Sequence, residues 1–270
     1  LLNNHIICFG GRPMSFHFEN CFKRVYDSMS YRDFLLLLSP QHHSSLLARR
    51  RAEMIISRVR LVALLFTVMT PLWIVVDVAS LSWPIWGWLS VERLVASITF
   101  ALLVRLYPHS TSLRHAYRAL ALLFIIPSLF FLGSNFVLAH YQVEALGKIA
   151  LDGYAFLPFV MLAGLSIFPL TALEGLIFAA PILGAQVLAI GLDFATLTWY
   201  DADRIATFWL LSLLASVATV SGMSQLRLMY QLNRQAAHDP LTDCFNRNSG
   251  EELLSIHFSL SRRQDQPLSL

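Results

Sequence analysis

Four ionisable residues, Asp77, Glu92, Arg93 and Glu174, stand inside or at the edge of long apolar stretches. Charged groups at membrane depth are costly, so they are expected to face a bundle interior and pair, with Arg93 the candidate cation for the three acids. They form either a polar pocket that senses a ligand or pH, or a structural ion pair with snorkelling at the interface. The positions of Asp77 and Glu174 near the ends of their stretches favour the structural reading. Other reactive residue types offer less. His115 and His140 stand alone, His42 and His43 share a polar turn, and no HxxxH or HExxH spacing occurs, so these histidines read as solvated or interfacial. Cys8, Cys21 and Cys244 have no CxxC spacing, which argues against a disulfide framework or a zinc site. No catalytic, cofactor-binding or metal-binding set is expected in this chain.

The elements that position these groups follow from composition. Of 270 residues, 56% are hydrophobic and 14% charged, against about 25% charged in an ordinary soluble domain. The mean hydropathy is +0.57. Disorder and a soluble nucleic-acid binder are excluded, and the bilayer is the expected partner. Apolar blocks of roughly 20 residues suit a bilayer core. Six spans are expected: Leu61 to Val78, Ile85 to Val104, Ala119 to Ala139, Gly153 to Pro169, Leu173 to Leu192 and Ile205 to Leu226. Pro71, Pro127, Pro158 and Pro181 fall inside them and can kink helices. Trp83, Trp86, Trp88, Tyr107, Tyr141 and Trp199 fall at span ends, as interfacial anchors do.

Orientation follows from basic residues near the span ends. One side carries Arg49, Arg50, Arg51, Arg58, Arg60, Arg105, Arg114, Arg118, Arg227 and Arg234; the other carries Lys148 and Arg204. Ten against two is a strong positive-inside bias, so both termini are expected in the cytoplasm. The arginines from Arg49 to Arg60 are expected at the lipid phosphate level, in a cytoplasmic segment spanning 1–60. Within it, Leu1 to Pro13 reads as an extension ahead of a natural start at Met14, or as a fragment edge.

Beyond the sixth span the chain becomes polar. Met223, Leu226, Tyr230, Asn233 and Ala237 recur at three- and four-residue spacing, which suits a two-helix seam with a second copy. Asp239-Pro240 then ends the helix and starts a turn. Asn246 can cap a new helix, with Ser249 and Glu252 as a competing capping box.

Asp239, Pro240, Leu241, Thr242, Asn246 and Arg247, following a membrane-exit helix, resemble the opening of a GGDEF domain, the catalytic domain of diguanylate cyclases. The resemblance covers roughly 237–270, including the basic pair Arg262-Arg263 and a strand start at 267–270. Asp243 stands where the family usually has Gly, and Asn248 where a second Arg is common. The resemblance implies a cytoplasmic enzyme half that condenses two GTP molecules into cyclic di-GMP. It also implies a homodimer meeting through the exit helix, Mg2+ or Mn2+ held by aspartates, and a GG[DE]EF turn over the phosphates. No GG[DE]EF or FKxxND-like pattern occurs up to Leu270, so this chain alone is expected to be catalytically incompetent.

The expected architecture is all-α. It comprises a six-span bundle over 61–226, a signalling helix over 227–238 and the truncated start of an α/β GGDEF domain over 239–270. The expected function is the membrane sensor half of a diguanylate cyclase. A multi-pass transporter or channel, or a non-functional gene remnant, are the alternatives; the lack of an inverted repeat weakens the transporter.

Overall fold

The arginine-rich approach to the first apolar stretch continues into it as a single helix. In the computed structural model, which describes residues 37–40, 45–108, 110–141, 153–192, 202–237, 242, 244 and 246–264, α1 spans Ser45–Leu72 and contains Pro71. A proline inside a helix frees the carbonyl four residues earlier. Here that carbonyl, Thr67 O, accepts a hydrogen bond from Ser97 Oγ at 2.7 Å. The helix breaks at Trp73 and resumes as α2, Ile74–Ser80.

The remaining helices are α3 (Ile85–Leu106), α4 (Leu113–His140), α5 (Leu157–Leu165), α6 (Ala172–Leu192), α7 (Ala202–Ala237) and α8 (Arg247–Gln264). The described residues form no strand. Four stretches are long and apolar enough to cross a membrane: Leu46–Ser80, Leu113–Leu138, Ala172–Gly191 and Ile205–Asn233. The second expected span is the continuous helix α3, interrupted in character by Glu92 and Arg93. The fourth lies in a shorter apolar helical stretch, Gly153–Leu165. Pro158 sits in the first turn of α5 and makes no kink there, because a first-turn residue has no intrahelical N–H bond to lose.

Contacts between side chains fix the direction of the helices. Arg51 near the start of α1 reaches Glu174 at the start of α6, and Tyr117 at the start of α4 reaches the same carboxylate. Asp77 of α2 meets Arg93 in the first half of α3 and Tyr154 just ahead of α5. With α1 and α2 counted as one path, successive helices up to α7 therefore alternate in direction, and α7 ends where α1 begins, since Arg50 binds Asn233.

The main core between them includes Ile55, Phe100, Phe124, Leu162, Phe168 and Leu211. A second, smaller core of Leu81, Ile85, Leu89, Leu138 and Tyr154 closes the opposite end. The outward faces are apolar too, with Leu61, Val75, Ile98, Leu176 and Val217 all exposed, as expected where lipid rather than water is the solvent. Small residues bring the helices together, as membrane packing requires. A Cβ on Gly175 would lie 2.8 Å from the Thr219 side chain, and one on Gly222 2.9 Å from the Phe168 carbonyl oxygen.

Replacing Gly222 by Leu is expected to cost about 1–3 kcal/mol through overpacking, read by thermal unfolding in detergent. Gly184→Ala, where an added Cβ meets nothing within 4 Å, is the control and should leave the transition in place.

Candidate functional site

The start of α6 carries a Thr-Ala-Leu-Glu sequence that forms a reciprocal cap. Thr171 N–H donates to Glu174 Oε2 at 2.8 Å, and Glu174 N–H faces Thr171 Oγ1 at 3.4 Å. This capping box holds the Glu174 carboxylate at the helix end, where two further donors reach it. Arg51 Nη2 donates to Oε2 and the Tyr117 hydroxyl to Oε1. Arg51 Nε donates to Pro169 O at 2.8 Å, and its guanidinium lies 5.9 Å from the Tyr117 ring centroid. Arg51 is 0% exposed. The cluster joins α1, α4, α6 and the 166–171 connection.

Next to it, α7 is fastened to α1. Arg50 donates to Asn233 Oδ1, and Arg58 donates to Gln225 Oε1 and Ile167 O. Gln225 Nε2 and Ser221 Oγ both donate to Ser166 O, at 2.6 and 3.2 Å. The face of α7 expected to be a seam with a second copy is thus turned inward: Leu226 and Ala237 are buried and Asn233 is engaged by Arg50. Leu228 and Leu232, on another face, are each 57% exposed.

The other end of the bundle repeats the chemistry with different residues. Arg93 Nε donates to Asp77 Oδ2 at 2.6 Å, while the Tyr154 hydroxyl lies 2.9 and 3.0 Å from the two Asp77 oxygens. The Arg93 guanidinium stacks 4.8 Å from the Tyr154 ring centroid and 5.2 Å from that of Phe130. Along α1 and α2, Arg51 and Asp77 are separated by roughly 40 Å at 1.5 Å per residue. That is close to the full thickness of a bilayer with its headgroups, about 40–45 Å.

Two sequence expectations are corrected here. Arg93 is not the partner of all three acids: it takes Asp77, and Glu174 takes Arg51. Nor are all the arginines of α1 open to lipid phosphate, since Arg51 is enclosed in protein. Sequence reasoning missed Arg51, Tyr117 and Tyr154 as members of these clusters. Only the T-x-x-E spacing at Thr171 to Glu174 signalled where one of them would form.

Past α7, Asn246 joins two helices. Its Oδ1 accepts from Ser249 N–H at 3.0 Å and caps α8, while its Nδ2 and N–H donate to Ala236 O and Ala237 O at 2.6 and 2.9 Å. The Asn246 cap prevails over the Ser249 and Glu252 alternative because α8 already begins at Arg247. Arg247 forms an exposed pair with Glu251 at 3.0 Å. Thr242 occupies a turn, and Asp239, Pro240, Leu241 and the expected strand at 267–270 lie outside the described residues.

No family model, curated protein or solved structure matches the chain. Its function has to be read from this geometry. In both charge clusters the carboxylate is taken up by an arginine and a tyrosine hydroxyl. Among the described residues no group of three His, Cys, Asp or Glu could hold a metal ion. What the arrangement can do is fix helices relative to one another at both ends and tie α7 to α1.

Removing one member of a buried pair strands the other charge and typically costs about 3–5 kcal/mol, whereas replacing both with apolar residues is often neutral. Arg51→Met and Glu174→Leu are each expected to destabilise by about that amount. The double variant should recover most of the loss, so that a double-mutant cycle in detergent gives a large coupling.

Proposed function

We propose that this chain is the sensor and signalling half of a GGDEF-type diguanylate cyclase of the bacterial inner membrane. In this reading α3 and the Gly153–Leu165 stretch also cross the bilayer, which makes six spans, and both termini face the cytoplasm. The alternating helix directions and the ten-to-two bias of basic residues support that topology.

The observation that carries the proposal is the continuity from α7 to α8. α7 runs 36 residues without a break, about 54 Å at 1.5 Å per residue. Asn246 then binds its last carbonyls and caps the next helix. A shift or rotation of α7 in the bundle is delivered through Asn246 to the start of the following domain. The motif at 239–247 resembles the opening of a GGDEF domain, so the receiving domain is read as a cyclase domain that condenses two GTP molecules to cyclic di-GMP. Two copies meet through the exit helix, and since the Leu226 face is covered within the chain, the meeting face is the one bearing Leu228 and Leu232. GTP and Mg2+ or Mn2+ belong to the intact catalytic domain. The described residues offer no fitting donor set, and no chemical step is assigned to them.

Fusion of an intact GGDEF domain after Leu270 tests the proposal. Cyclic di-GMP synthesis is expected to change several-fold when Arg50→Ala or Asn233→Ala releases α7 from α1. Asn246→Ala in the same fusion should make synthesis indifferent to those bundle substitutions. A fusion that ignores the bundle from the outset contradicts the sensor reading, and substrate flux in vesicles would favour a transporter instead.

A further inference from the structure

Three of the four ionisable residues set in apolar stretches are neutralised in place: Asp77 with Arg93, and Glu174 by Arg51. Glu92 is not. Its Oε2 is buried and has no hydrogen-bond partner among the described residues. The carboxylate lies against Gly133 of α4, so closely that a Cβ at that position would stand 2.5 Å from Oε1. Glycine is what allows the acid to lie there.

The surrounding elements supply no counter-charge to spare. Arg93, next in the chain, is engaged by Asp77 of α2, which also takes the Tyr154 hydroxyl. α1 has no titratable group after Arg60, and α4 has none between Arg118 and His140. The polar residues that follow Gly133 are committed elsewhere, Ser134 Oγ and Asn135 Nδ2 both donating to Phe131 O at 3.0 and 2.7 Å. An ionised carboxylate without donors in apolar surroundings is strongly disfavoured, and the group neutralises instead. A hard metal cation would need six or more oxygen ligands, and no group of three acidic, His or Cys side chains is present among the described residues. A proton satisfies the site alone.

We propose that Glu92 is a proton-binding site of the bundle, and that loss of its proton loosens the contact between α3 and α4 at Gly133. Glu92 is seven residues into α3, about 10 Å from the start of that helix. The proton is exchanged with water at that end of the bundle: the carboxylate gains it to form a neutral acid and returns it to water when it ionises. The inference rests on the bundle lying in a membrane and not on the nature of the domain after α7.

Infrared spectroscopy of the purified chain in vesicles of mixed zwitterionic and anionic phospholipid tests it directly. The wild type is expected to show a protonated-carboxyl carbonyl band at neutral pH, where exposed carboxyls are ionised, and to lose it on alkalinisation. Glu92→Gln, which keeps the size and neutrality of the acid, should lack the band yet melt at the wild-type temperature. Gly133→Ala should displace the carboxyl and bring its titration toward that of an exposed acid. Identical spectra for wild type and Glu92→Gln would overturn the proposal, as would a Gln variant that fails to fold, because the neutral form would then not be what the bundle holds. An unchanged titration in Gly133→Ala would remove Gly133 from it.

Discussion

A guanidinium buried as completely as that of Arg51 leaves the surrounding chain few options. An ion taken out of water forfeits its hydration, and the loss is recovered only when a counter-ion and further hydrogen bonds replace the solvent. The start of α6 provides both. The Thr171 cap fixes the Glu174 carboxylate, and Pro169 O and Tyr117 occupy the remaining directions. Once Arg51 is fixed, the register of α1 against α4 and α6 is fixed with it, since a slip of one residue would carry the charge into an apolar wall. The Asp77, Arg93 and Tyr154 cluster imposes the same restriction on α2, α3 and the stretch ahead of α5. The bundle is pinned at its two ends and packed by dispersion between them.

Pinned ends change the meaning of the middle. Between the clusters the helices meet through apolar side chains and glycines, contacts that are close but non-directional. The break at Trp73 and the Ser97 bond to Thr67 O show that the backbone defect at Pro71 is repaired by a neighbouring helix rather than by the helix itself. Segments repaired in this way couple α1 to α3, because the hydroxyl of one completes the backbone of the other.

Much of this architecture was legible in the sequence, and the parts that were not share a cause. The long apolar stretches and the exit helix follow from composition and length, which are local properties. The cap at Asn246 was legible too, since its partners are three residues away or at the end of the preceding helix. The role of Arg51 was not legible. Three consecutive arginines before an apolar run fit an interfacial anchor, and only the tertiary position of Glu174, 123 residues further on, separates the middle arginine from its neighbours. Tyr117 and Tyr154 read as ordinary aromatics because a hydroxyl acquires its role from the carboxylate it meets. The α7 face was legible only in part, for a related reason. A three-four spacing reveals that one face is apolar and leaves open whether a helix of the same chain or of another covers it.

That distinction bears on how α7 could carry a signal. The face with Leu226 and Asn233 is held by α1 and by the 166–171 connection, so α7 cannot rotate without breaking the Arg50 and Arg58 bonds. The bonds to Asn233, Gln225 and Ile167 O join charged donors to neutral oxygens, and singly such bonds are weaker than a buried ion pair like that of Arg51 beside them. The end of the bundle therefore combines one contact that is costly to open with several that can be exchanged for water. The contacts that water can replace lie between α1 and the last turns of α7. Asn246 lies directly beyond those turns, bonded to their terminal carbonyls, so the part of α7 held by these exchangeable contacts is the part connected to α8.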